Sequence, residues 1–269
     1  MTPEFEALSR EAGIAAAAIG QGINGINKAT YAEKGYYHYA FFNLSIALER
    51  LGKLIFILDY LVREDRYPSD KELRALGHQL SDIIQKTEEI RQDRNLTSEA
   101  FPDDLVSSAI VQVLSQFATS TRYYNLDYLV GGKSAAMQEP IAAWYHSVSQ
   151  PILSKHYSAR QRARNEAQAQ ALGALLDDIS SVHHTAEDGR PIRSWSEGAL
   201  ATGSISILQK FSRMYCLRLF RSLTDTLGEL QNIAMRARYD IPYLTDFFGI
   251  FNNDDSYFLS RKTWDPYRP

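Results

Sequence analysis

The sequence predicts an all-α protein, a multi-helix bundle, and three observations carry that reading. Apolar residues recur at intervals of three and four almost everywhere, the period of a helix that buries one face. Runs of alternating apolar and polar residues bounded by hairpin turns are missing, so strands are expected at most near the C-terminus. Clusters of helix-stopping residues at 20–25, 66–68, 101–102, 131–132 and 187–191 divide the chain into roughly six or seven long helical segments. At 269 residues and 45% hydrophobic, the chain has enough apolar side chain for one large core or two modest ones.

The first segment contains an alanine-rich run, Ala12 to Gly20, too short and too punctuated by glycine to cross a bilayer, and Gly20, Gly22 and Gly25 predict a break. The second, Tyr39 to Leu61, is nearly all apolar yet holds Ser45, Glu49 and Lys53. A third runs from Ser69 to Ile90 and opens with an S-x-x-E capping box: Ser69 accepts from the Glu72 amide while Glu72 reaches back. Leu73, Leu76, Leu80, Ile83 and Ile84 then share an arc of about 100° that faces the core. Gly77 beside that stripe admits a neighbouring helix, and Arg74, His78, Ser81 and Asp82 lie off it.

Leu105, Ala109, Val113 and Phe117 predict a further amphipathic helix ending near Gly131, whose last turns carry Arg122, Tyr123, Tyr124 and Tyr128. Clustered tyrosines are expected as core aromatics with a wet hydroxyl. The Ala- and Gln-rich segment from Ser158 to His184 opens with Arg160, Arg162 and Arg164, charges that oppose the helix dipole and need a compensating anion or partner. Ile205 to Arg238 predicts one or two helices, with Leu208, Phe211, Tyr215, Leu219, Leu223, Leu227 and Leu230 as core or partner surface. The aromatic tail after Asp240 is expected to pack back on the bundle or onto a second subunit. No flexible linker divides the chain, so residues 101–269 are read as a helical elaboration of the same bundle as 1–100.

A formal charge of -3, from 29 basic and 32 acidic side chains, provides no global attraction to nucleic acid or anionic lipid. Any such partner has to be met by a local patch. Cys216 is the single cysteine, set among apolar neighbours, and reads as a small buried hydrophobe. Glu4 and Glu6 stand where a signal peptide needs positive charge, so a cytoplasmic protein with no membrane partner is expected.

Ser45, Glu49 and Lys53 follow one another at steps of four on the Tyr39–Leu61 helix, which puts them on one strip as an ion-paired edge or as a wall of a cleft. Arg74 and His78, four apart, would share a face of the next helix. An imidazole that titrates near neutrality beside a guanidinium suits phosphodiester chemistry, one moving a proton and the other stabilising phosphorane charge. Lys210, Arg213 and Arg221, with Arg218 somewhat off the line, form a basic helix stripe able to meet RNA phosphates, or a solvated face. His183 and His184 lie near Asp177, Asp178, Glu187 and Asp188, but adjacent histidines diverge and no i, i+4 pair is present, so no metal site is expected. P-loop, Rossmann, nucleophile-elbow and zinc-type cysteine patterns do not occur, which argues against those chemistries.

The string Phe41-Phe42-Asn43-Leu44-Ser45-Ile46-Ala47-Leu48-Glu49-Arg50-Leu51-Gly52-Lys53, followed by Leu76-Gly77-His78-Gln79-Leu80-Ser81-Asp82-Ile83-Ile84, resembles HEPN domains over about a fifth of the chain. The resemblance implies a helical-bundle core over residues 1–100 that cleaves or binds RNA without metal or cofactor. His78 would serve as general acid or base for attack by a ribose 2′-hydroxyl, Arg74 would stabilise the transition-state charge, and Glu49 would hold one of them in place. In ribonuclease members an arginine precedes the histidine by five positions; here Leu73 stands there and Arg74 comes one residue later. The resemblance also implies a homodimer with the two histidine helices facing across a composite cleft, and a defence or toxin–antitoxin setting with an antitoxin or defence protein as partner. The residues leave open an alternative, a non-catalytic interaction or sensor module that uses the aromatic tail and tyrosine cluster as contact surface.

Overall fold

A computed structural model describes residues 1–267. It is an all-α bundle, with one two-stranded hairpin as the sheet structure among the described residues. Helices α1 (Pro3–Ile26) and α2 (Gly35–Glu64) form an antiparallel pair. The break expected at Gly20 to Gly25 does not occur: α1 runs through it, because these glycines are contact points. A Cβ on Gly22 would stand 2.6 Å from the Leu44 side chain of α2, and one on Gly20 would meet the Trp264 carbonyl at 2.6 Å. Loss of side chains here lets helix and tail approach closely.

The helix expected over Ser69 to Ile90 is two. The capping box forms as predicted and starts α3 (Asp70–Arg74), but Gly77, at φ +66°, turns the chain before α4 (Leu80–Asp93) begins. Positive φ suits glycine alone without cost, and no atom lies within 4 Å of a Cβ placed there, so Gly77 makes a turn and no close helix contact. The new helix takes its cap from elsewhere in the fold: the Ser115 hydroxyl accepts from the Leu80 amide at 3.2 Å and donates to Gln79 Oε1 at 3.0 Å. Leu80, Ile83 and Ile84 are buried as the stripe requires, while Leu73 and Leu76 are half-buried. Gly52 of α2 is where α4 crosses; a Cβ there would meet Ile83 Cγ2 at 2.2 Å.

Helix α5 (Leu105–Gln116) continues through a π-helical turn into α6 (Tyr124–Val130), which ends at Gly131 with φ +68°. The tyrosines there are not core aromatics. No residue of α6 is buried, and Leu126, Leu129 and Val130 are exposed together with Tyr123 and Tyr128. Helices α7 (Pro140–Trp144) and α8 (Gln150–His156) enclose Trp144 and Ile152. Helix α9 (Ala159–Leu176) begins with a Ser158–Gln161 capping box and packs antiparallel on α10 (Trp195–Arg236), one helix of 42 residues. Between them, β1 (His184–Thr185) pairs with β2 (Pro191–Ile192) around Gly189 at φ +87°. Asp188-Gly189 is a strong hairpin signal, so the run expected only to interrupt helices instead closes a strand pair.

The tail folds back on its own bundle. Phe248, Phe251, Phe258 and Trp264 are buried, and Asn24 of α1 exchanges two hydrogen bonds with the Trp264 backbone at 2.8 and 2.9 Å. A short helix, α11 (Asp255–Ser260), lies against α10. One contiguous apolar core runs from Leu8 in α1 to Trp264. No helix among the described residues is long and apolar enough to cross a membrane.

Candidate functional site

Helix α2 positions Glu49 and Lys53 one turn apart on its rim, where the ring of Leu44, Leu48, Leu51 and Leu54 has turned inward. Ser45, expected on the same strip, is buried and donates to the Phe42 carbonyl instead. Lys53 Nζ donates to Glu49 Oε1 at 2.6 Å, and His78 Nδ1 stands 2.9 Å from the same oxygen. The Gly77 turn is what brings His78 here: it lets the chain cross α2 between α3 and α4 rather than continue on a helical path. Burial pushes the Glu49 carboxyl up, but the hydrogen bonds and charges of Lys53 and His78 outweigh it and hold the group below its ordinary value.

The His78 ring is 77% exposed and the Glu49 carboxylate 24%. In the neutral tautomer that carries its proton on Nδ1, the ring donates to the carboxylate and Nε2 is left with a free lone pair. That is the arrangement a general base needs. Beside it, a cleft of about 400 Å³ is lined by Lys53, Arg50, Tyr67, Leu54, Ile57 and Leu73 together with the carboxylates Glu4 and Glu11, the latter paired with Arg50 at 2.6 Å, so Lys53 belongs both to the carboxylate cluster and to the cleft wall.

Arg74 is not part of this cluster. The break after α3 removes the shared face it was expected to have with His78; its Nε pairs with Asp70 at 2.9 Å and its side chain is 80% exposed.

The basic stripe of α10 is engaged by the tail. Arg213 is buried and donates to the Phe258 and Leu259 carbonyls at 2.8 and 3.0 Å and to Asn27 Oδ1 at 2.6 Å. Phe258 and Leu259 lie in the last turn of α11, whose carbonyls have no intrahelical donor, so Arg213 caps that helix from outside. Arg218 pairs with Asp255, and Arg221 donates to the Asn253 carbonyl at 3.1 Å and to Glu99 at 2.9 Å. Lys210 remains exposed, its ammonium 5.8 Å from the Phe211 ring. The four cations therefore do not present a common phosphate-binding face. The acidic run Asp254-Asp255 in the tail was the sequence signal for this clasp.

His183 and His184 part company as expected: His184 stands edge-on to Tyr31 and His183 meets Ser181. No group of three or more His, Cys, Asp or Glu able to hold a metal occurs among the described residues. Cys216 is enclosed, and burial pushes its thiol up to about 12, so it is no nucleophile at neutral pH. Comparison with family models, curated proteins and solved structures finds no match, so the chemistry of the Glu49–His78 cluster has to be read from its own geometry.

Proposed function

We propose that the chain is a HEPN-like protein that acts on RNA without metal, through a site built from His78, Glu49 and Lys53. The observation that carries this reading is the 2.9 Å contact between His78 Nδ1 and Glu49 Oε1 on a ring that is otherwise open. Glu49 orients the imidazole and favours the imidazolium that forms when Nε2 takes the proton of a ribose 2′-hydroxyl. Lys53 supplies positive charge next to the phosphate, in the role the resemblance assigned to Arg74, and the adjoining cleft gives a nucleobase the Tyr67 ring and apolar walls to rest on. Pairing of two copies, as the resemblance implies, would place two such clusters across one groove.

The test is incubation of purified protein with a mixed RNA pool, with and without EDTA, beside H78A, E49Q, K53A and R74A. The expected result is chelator-resistant cleavage that leaves 2′,3′-cyclic phosphate ends, lost in H78A, reduced in E49Q and K53A, and retained in R74A. Absence of cleavage, or equal cleavage by H78A, overturns it.

A second reading, a non-catalytic interaction module, is favoured by the apolar residues Leu126, Leu129 and Val130 of α6, which stay exposed. It predicts no RNA turnover and loss of a protein partner when Leu126 and Leu129 become polar.

A further inference from the structure

Away from the Glu49–His78 cluster, the hairpin closes a cleft of about 510 Å³ against α9 and α10, lined among others by Tyr145, Leu153, Tyr157, Glu187 and Leu208. That volume lies in the range of small-molecule sites. Its lining includes an unusual group. Three ionisable residues among those described, apart from the cysteine and tyrosines, are buried as a whole: Asp59, Arg213 and Glu187. Asp59 pairs with Arg94 at 2.8 Å and Arg63 at 3.3 Å, and Arg213 has its three acceptors. Glu187 has no cation within ion-pair distance. Its side-chain partner is the Tyr37 hydroxyl at a long 3.4 Å, and the nearby Lys34 ammonium is held by the Ala186 carbonyl at 2.9 Å.

An enclosed carboxylate without a counter-charge is costly unless something supplies one. Burial pushes Glu187 up accordingly, with Asp188 adding to the effect and its own backbone N–H, Tyr37 and Lys34 opposing it. The two guanidiniums on the cleft wall do not fill the role: Arg190 is paired with Asp188 at 2.6 Å, and Arg162 lies over the Tyr157 ring at 5.1 Å. The Tyr157 hydroxyl is a further enclosed polar group with no hydrogen-bond partner. The remaining wall combines apolar and aromatic groups, Leu153, Ile192, Leu200, Leu208 and Tyr145, with the polar side chains of Asn165, Ser204, Glu166 and Glu197, of which Glu197 is engaged by the amides at the start of α10.

We propose that this cleft binds a small organic cation, whose ammonium or amidinium group meets Glu187 while an apolar body lies against Tyr145, Leu153 and Leu208. Ligand charge completes the ion pair that the fold leaves open, and the aromatic wall favours a cation over a neutral isostere. The site is separate from the RNA chemistry and does not depend on it.

Calorimetric titration of the full chain near neutral pH with phenethylamine, 2-phenylethanol and phenylacetate tests the proposal. The amine is expected to bind at least about tenfold more tightly than the alcohol, with the acid weaker still. E187Q is expected to bring the amine down to the affinity of the alcohol, and L200W to weaken all probes by narrowing the mouth at an exposed wall position. Circular dichroism confirms that each variant is folded. Equal affinity for amine and alcohol, no amine binding by the parent chain, or amine binding unchanged by both E187Q and L200W overturns the proposal.

Discussion

Replacing Arg213 by methionine distinguishes a structural clasp from a nucleic-acid contact. The change keeps the apolar stem but removes a buried guanidinium that donates to the Phe258 and Leu259 carbonyls and to Asn27. Each acceptor left without a donor in a dry site costs roughly 1–3 kcal/mol. Against this stands relief from burying a charge, visible in the lowering of the Arg213 pKa by burial. Three such acceptors, less that relief, leave a net loss of about 4 kcal/mol. With an unfolding entropy of roughly 2.1 cal/mol/K per residue over 269 residues, that loss lowers Tm by ~7 °C. Thermal unfolding followed by circular dichroism measures the shift, and limited proteolysis with mass spectrometry shows whether residues 240–267 are released first. K210A, at an exposed position of the same stripe, is expected to melt with the parent. An R213M variant that melts within ~1 °C of the parent with an equally protected tail, yet loses RNA binding, would refute the clasp.

Two further predictions concern the geometry that places His78. G52A puts a Cβ 2.2 Å from Ile83 Cγ2, and overpacking of about 1–3 kcal/mol outweighs the better helix propensity of alanine. G52A combined with I83A should therefore lose less stability than the two single changes added, by at least ~0.5 kcal/mol in denaturant titrations; strict additivity would show that α4 does not rest on Gly52. E49Q tests the carboxylate that gathers Lys53 and His78. Because the Glu49 pKa is lowered in the fold, its ion pairs stabilise above the unfolded carboxylate value of ~4.3 and lose that contribution as pH falls through the lowered folded value. E49Q is accordingly expected to cost about 1 kcal/mol at neutral pH, with the difference closing as pH falls below the unfolded carboxylate value; an equal difference at neutral and at acid pH, measured by urea unfolding, would contradict the pairing.

Helix boundaries written in local chemistry were legible in advance. Ser69 and Glu72 cap α3, Gly131 ends α6, and the apolar periodicity of 205–238 becomes α10. Glycines were legible as special positions, but breaker and packing roles were exchanged. Gly20 and Gly22 are sites of close packing inside α1, and Gly77, read as a packing site, is a turn. The same residue type serves both purposes, and which one applies depends on what lies opposite it.

The site divides along the same line. The steps of four that join Glu49 to Lys53 are a property of one helix, so their ion pair follows from the sequence alone. Whether His78 faces Arg74 or Glu49 depends on a break between α3 and α4 that is stabilised by Ser115, a residue of another helix. The arginines of α10 were likewise visible as charges, but the carbonyls that hold them lie more than thirty residues away in the tail. Period and capping are encoded over a few neighbouring residues, and they determined that this chain is helical and where α3, α5 and α9 begin. Partners of charged side chains come from segments distant in sequence, and only the packed structure decided that His78 meets Glu49, that Arg213 is enclosed, and that Glu187 lies buried in a cleft without a counter-charge.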